Sequence, residues 1–210
     1  MKSYGQYCAL SKALDVIGDR WTLLIVRELL IRGACRYTDL RAGLPGIATN
    51  LLATRLDELE KAGVIERFDA PPPVATALFR LTPRGRELEG PLRAIGRWGH
   101  PLLKSAPKSD AFRSHWLVLP AAGRLKDHRP DRPGVAIELR AGDEPVTVEA
   151  AHGEVRVRPG PAEHPDAVLI GPPRVLVALL LGEIDLGEAR KAGLRLDGKA
   201  DAFKRVQPNA

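Results

Sequence analysis

The chain has 210 residues, 44% of them apolar and 28% charged, with a net charge of +6. That balance suits a folded, water-soluble protein of two domains of about 100 residues each, and a count of two cysteines argues against a disulfide scaffold. No segment reaches the roughly 18 uninterrupted apolar residues of a membrane span.

The N-terminal stretch "MKSYGQYCALSKALDVIGDRW" lacks the long apolar run and small-residue cleavage site of a secretory leader. A cytoplasmic protein with no membrane partner is therefore expected. The positive charge is uneven: residues 1–104 carry 16 Lys and Arg against 11 Asp and Glu, whereas residues 105–210 carry 16 against 15. A polyanion partner for the first half is one implication; ordinary solubilising charge is the other.

In chain order, "CALSKALDVIG" places Leu10, Ala13, Leu14 and Ile17 at helical spacing, and "RWTLLIVRELLIRG" does the same with Trp21, Leu24, Ile25, Leu29 and Leu30. "RYTDLRAGLPG" predicts a short helix stopped by Pro45, with Cys35 in the loop before it. A helix over 49–62 follows, opened by Thr49 as a cap, with Leu52, Leu56 and Leu59 as its buried stripe and Gly63 beyond its end. "VIERF" and "ALFRLT" alternate as strands do, around a projecting loop that holds three successive prolines. A long helix is expected from about Pro83. Short helices, a hairpin and a closing helix together describe a winged helix-turn-helix.

Residues 105–114 are polar and proline-bearing and read as a linker between a domain over 1–104 and another over 115–207. "HWLVLPAAGRL" suggests a short helix. "VAIELR", "PVTVEA" and "EVRVRP" predict an antiparallel meander with Val135, Ile137, Leu139, Val146, Val148, Val155 and Val157 on the buried face. "DAVLIG" is a fourth strand candidate, followed by a helix in "PPRVLVALLLG", a short strand in "LRLDG" and a last helix to about Val206. The fold class expected overall is α+β, a winged helix-turn-helix domain followed by a small α+β domain with an antiparallel sheet.

Taken together, "YCALSKALDVIGDRWTLLIVRELLIRGACRYTDL", "LPGIATNLLATRLDELEKAGVIER" and "FRLTPRGRELEGPLRAIGRWG" resemble the HxlR-type transcriptional regulators, dimeric winged-helix proteins related to the MarR type, over residues 5–100. The resemblance implies a repressor that acts as a homodimer on a palindromic double-stranded DNA operator. Each subunit would lay the 49–62 helix in the major groove and its wing along the flanking backbone. A helix entering a groove about 12 Å wide needs short hydrogen-bonding side chains at its leading end. Thr49, Asn50, Ala53 and Thr54 meet that need, with Asn50 suited to adenine, Ala53 to a thymine methyl and Arg55 to a phosphate or guanine. Arg36, Arg41, Arg67 and Arg80 are candidates for phosphate contacts. The wing tip "PPPVAT" departs from the family, whose members often carry an arginine there.

Cys8 occupies a position where many such regulators carry a cysteine. It is either a redox-sensing thiol activated by a helix N-terminus and Lys12, or an inert, half-buried cysteine at a dimer interface. Leu10 and Leu14 with Leu88, Leu92, Ile95, Trp98 and Leu102 form an apolar stripe suited to a dimer seam, or to packing on the second domain.

The stretch "DAVLIGPPRVLVALLLGEIDLGEARKAGLRLDGKADAFKRV" resembles the C-terminal part of sterol-carrier-protein-like domains. That implies a small hydrophobic effector coupled to DNA affinity. The alternative is a hydrophobic-ligand carrier or sensor in which the winged helix is only an interaction module. No G-x-S-x-G, P-loop or dinucleotide fingerprint is present, and the five histidines lack zinc-site spacing. Neither catalysis nor a cofactor or metal is expected.

Overall fold

The computed structural model describes residues 3–71, 76–142 and 144–208. The chain divides into two compact units, Met1–Ser109 and Asp110–Ala210.

The first unit contains α1 (Ala9–Ile17), α2 (Thr22–Arg32), the two-residue strand β1 (Cys35–Arg36), α3 (Tyr37–Gly43) and α4 (Thr49–Lys61). Strands β2 (Ile65–Asp69) and β3 (Ala77–Leu81) form the wing hairpin, and α5 (Pro83–Arg86) and α6 (Glu89–Gly99) follow, with a 3-10 turn over His100–Ser105. The wing sheet runs β1-β3-β2, antiparallel throughout. Leu52, Leu56 and Leu59 recur at i, i+4 and i+7 on α4, and all three are buried against Ile25, Val26 and Leu29 of α2, Leu40 of α3, and Ile65, Phe79 and Leu81 of the wing.

Gly63, at φ +68°, turns the chain from α4 into β2, a conformation glycine adopts without steric cost. Thr82 fastens this corner. Its hydroxyl donates to the Gly63 carbonyl at 2.7 Å and accepts from the Gly85 N–H at 3.1 Å, capping α5.

The structure corrects several expectations here. Cys35 lies in a strand, because Cys35 and Arg36 pair with Phe79 and Leu78 and widen the wing to three strands. The helix from Pro83 breaks at Glu87–Leu88 into α5 and α6. Thr49 does not cap α4: Ala48 has the extended backbone of the cap position, and Thr49 is the first helical residue. Leu88 and Leu92 are half-buried against the unit's own core, which sets them apart from the exposed apolar residues farther along α6. The wing-tip residues 72–75 lie outside the described residues.

The second unit starts with a 3-10 turn over Ser114–Leu117 that runs into α7 (Val118–Arg124). Strands β4 (Val135–Arg140), β5 (Val146–Ala151) and β6 (Glu154–Pro159) form the antiparallel meander. β7 (Ala167–Ile170), α8 (Pro173–Leu181), α9 (Leu186–Lys191), β8 (Arg195–Gly198) and α10 (Ala200–Arg205) complete it. The sheet order is β6-β5-β4-β7-β8, and β7 joins β4 in parallel, so the sheet is mixed.

The reason lies in residues 160–166, which carry the chain back across the meander. Glu138, 2% exposed, accepts the Ala162 N–H at 3.1 Å, and the Asp166 N–H donates to the Ala136 carbonyl at 2.8 Å. These bonds deliver β7 to the free edge of β4. Ile137, Leu139, Val146, Val148 and Leu169 are buried, together with Leu176 and Leu180 of α8 and Phe203 of α10. Val135, Val155 and Val157 are only half-buried, the last two because β6 is an edge strand. Among the described residues no helix is long and apolar enough to cross a membrane.

Candidate nucleic-acid interface

On α4 the three buried leucines leave an opposite face of exposed Thr49, Asn50, Ala53 and Thr54. The Asn50 Oδ1 accepts the Leu51 N–H at 2.9 Å, and the Thr54 hydroxyl donates back to the Asn50 carbonyl at 3.0 Å. Both side chains thus rest against their own helix and present a low, polar surface. Asp57 continues this face one turn later but is paired with Lys61 at 2.6 Å. The start of the helix is held from outside as well: the Tyr37 hydroxyl, at the first residue of α3, donates to the Thr49 carbonyl at 2.7 Å.

The arginines separate into two groups. Arg55 is mostly buried and its guanidinium pairs with Asp19 and Glu58, so it braces α4 against the segment before α2 and offers no free charge outward. Arg80 pairs with Glu66 across the hairpin at 2.6 Å and lies over the Phe68 ring at 4.5 Å. Arg36 and Arg67 are in a different situation. Both line a cavity of about 260 Å³ together with Tyr37, Thr38, Thr76, Ala77 and Phe79. The Arg67 guanidinium lies 6.0 Å from the centroid of the Phe79 ring. Arg41 is exposed in the last turn of α3.

Of the predicted set, the structure therefore gathers Thr49, Asn50, Ala53 and Thr54 on one helix face, and Arg36 with Arg67 in one cavity. It occupies Arg55 and Arg80 with carboxylates. Reasoning from the sequence missed Tyr37, Thr38 and Thr76. The signal was the sequence "RYT" itself, a base, a phenol and a hydroxyl at consecutive positions where a helix begins.

The two cysteines occupy opposite environments. Cys8 is exposed at the cap position of α1, and the backbone N–H groups of Ser11 and Leu10 hold its thiol below the usual range. Lys12 pairs instead with Asp15 at 3.4 Å. Cys35 is buried, and burial pushes its thiol up to about 12. Along the outer surface, Tyr7, Leu10 and Leu14 of the α1 region and Ile95, Trp98 and Leu102 of the α6 region are exposed, and α6 has no buried residue.

In the second unit the Asp127 carboxylate, fully buried, takes two hydrogen bonds from the Arg205 guanidinium, at 2.7 and 2.9 Å. It also accepts the N–H groups of Arg129 and Gly153. The guanidinium beside it holds the Asp127 carboxyl well below the usual carboxylate range. No grouping of three metal-ligating side chains occurs among the described residues.

Comparison with known proteins gives two family matches. Residues 16–106 match the HxlR-like helix-turn-helix family and residues 131–208 the SCP-2 sterol transfer family. The HTH-type transcriptional regulator YvaP of Bacillus subtilis is 37% identical over 87 residues, covering 41% of this chain and 80% of that protein. The HTH-type regulator sll1512 of Synechocystis is 34% identical over 100 residues, 48% of this chain and 73% of that protein. YodB of Bacillus subtilis, another HTH-type regulator, is 29% identical over 89 residues, 42% and 79% respectively.

Proposed function

The chain belongs to the HxlR-like helix-turn-helix family of transcriptional regulators, and from that premise we propose that it represses transcription as a homodimer bound to a palindromic operator. The observation that carries this reading is the exposed face of α4. Short polar and methyl side chains, Thr49, Asn50, Ala53 and Thr54, occupy its first two turns, which is the chemistry a helix needs to sit against base edges. Asn50 reads adenine once its Oδ1 leaves the Leu51 N–H, and Thr49 and Thr54 hydrogen-bond to phosphates or base edges. The dimer forms through α1, α6 and the 3-10 turn after it, whose Leu10, Leu14, Ile95, Trp98 and Leu102 are exposed apolar surface in the isolated chain.

Two inputs would modulate binding. The exposed Cys8 thiol, activated by the first amides of α1, reacts with oxidants or electrophiles next to the dimer seam. The unit that matches the SCP-2 family takes a small hydrophobic effector.

The test is fluorescence anisotropy with duplex from the region upstream of the encoding gene and a scrambled duplex, at two salt concentrations, with wild type and Asn50→Ala. Tight binding to the native duplex alone, weakened by salt and lost in the variant, is the expected result. Equal weak binding to both duplexes, indifferent to Asn50, overturns the reading and favours a hydrophobic-ligand carrier whose winged helix is an interaction module.

A further inference from the structure

We propose that the cavity between the start of α3 and the wing is a cradle for a single backbone phosphate of the duplex, held jointly by Arg36 and Arg67; this rests on the reading of α4 as a DNA-binding helix. Among the described residues neither guanidinium has a carboxylate partner, whereas Arg55 and Arg80, equally basic by sequence, are neutralised by Asp19, Glu58 and Glu66. Asp39, an acid near Arg36 in sequence, accepts the backbone N–H of Arg36 at 3.0 Å.

Two positive charges facing one cavity repel each other, and an anion between them removes that repulsion. The Phe79 ring backs Arg67 through a cation–π contact, which limits its freedom before any ligand arrives. Thr38 and Thr76 add hydroxyl donors to the same walls. A tetrahedral dianion or a phosphodiester oxygen pair fits this donor set, and the fork geometry of arginine favours either.

The placement selects the backbone phosphate. Tyr37 lines the cavity and also bonds the first residue of α4. A phosphate seated there lies beside the helix that enters the groove, so the cradle sets the helix's depth and register without reading sequence.

The test measures the dependence of log K on log salt for wild type, Arg36→Gln, Arg67→Gln and the double variant, on native and scrambled duplexes. One shared phosphate in each subunit of the bound homodimer lowers the slope by about 1.8 in the double variant, on both duplexes alike, and each single change accounts for only part of that loss. A loss of about 3.6 in the double variant means two separate phosphates in each subunit and overturns the cradle. An unchanged slope also overturns it. If that variant in addition loses a thermal upshift that inorganic phosphate gives the wild type, the occupant is a free anion. The outcome for Asn50→Ala separates this claim from the one beneath it. Wild-type binding that depends on Asn50 but not on Arg36 or Arg67 removes the cradle alone, whereas wild type that binds neither duplex removes both. All of the substituted side chains are solvent-facing, so matching melting curves are expected for the four proteins.

Discussion

The hydroxyl of Tyr37 and the carbonyl of Thr49 are 2.7 Å apart, a hydrogen bond that joins the first residue of α3 to the first residue of α4. Ala48 at the cap position gives α4 no side-chain cap, and its leading turn is held by this external bond together with the Asn50 Oδ1, which accepts the Leu51 N–H. Tyr37→Phe keeps the ring and removes the bond, a change worth about 1 kcal/mol. The expected result is operator affinity weaker by up to about fivefold, faster amide exchange in the first turn of α4, and a melting temperature lower by a few degrees.

Gly85 is buried, and a Cβ there would meet the Val64 carbonyl oxygen at 2.0 Å. The obstacle is backbone, which cannot swing aside. Gly85→Ala is expected to destabilise the first unit by about 1–3 kcal/mol. Gly96 of α6 has open space around it and no proline after it, so Gly96→Ala serves as the control and gains up to about 0.5 kcal/mol from helix propensity. Urea titration of the two variants checks both signs.

Alkylation followed by mass spectrometry should separate the cysteines. Cys8 is exposed with a lowered thiol pKa, and Cys35 is buried with its pKa pushed up to about 12. In the native protein Cys8 is expected to react more than about a hundredfold faster at neutral pH, and its rate should level off below the pH of an ordinary thiol. A Cys8 rate that keeps rising up to the pH of an ordinary thiol would show that the first turn of α1 does not hold the thiolate.

Loss of Trp98 tests the seam. Trp98 is 77% exposed in the isolated chain, so Trp98→Ala should leave the fold and melting of the monomer intact. If α6 pairs with its counterpart in a second copy, sedimentation will show dimer dissociation at concentrations lower in the wild type by roughly thirtyfold or more. A variant that dimerises like the wild type places the interface elsewhere.

Asp127→Asn removes one charge of a pair whose side chains are 0% and 4% exposed. Stranding the Arg205 charge is expected to cost about 3 kcal/mol at neutral pH. Because the Asp127 carboxyl is held below its usual range in the folded state, its contribution is complete at any pH above the ordinary value of about 3.9. It falls away as the pH drops from there toward the lowered value. The gap between wild-type and variant melting temperatures should therefore be full at pH 7 and narrow below about pH 4.

How far the sequence exposes this architecture depends on the range of the interaction. The leucine stripe of α4, the meander from Val135 to Pro159 and the order of the winged-helix elements follow from spacing and turn chemistry, which act over a few residues. The same local logic exposes the polar face at Thr49, Asn50, Ala53 and Thr54. What stayed hidden depends on partners far along the chain. Arg55 looks available until Asp19, 36 positions away, is seen to occupy it. Arg80 looks available until the hairpin register sets Glu66 opposite. The parallel placement of β7 turns on Glu138, an acid that alternation alone would assign to solvent. Cys35 reads as loop because a two-residue strand has no periodicity of its own.

The clamp around Asp127 has a consequence for how the protein is made. The Arg205 guanidinium reaches back to Asp127, the His128 N–H donates to the Arg205 carbonyl at 2.9 Å, and Leu125 forms a β-bridge with Pro208. The stretch after α7 is thus anchored by residues translated about eighty positions later. A nascent chain emerging from the ribosome closes its first core once the wing and α5 are out, but the second must wait, with its sheet exposed, until α10 has cleared the exit tunnel. The DNA-binding half is built to fold early, and the C-terminal half to fold last and all together.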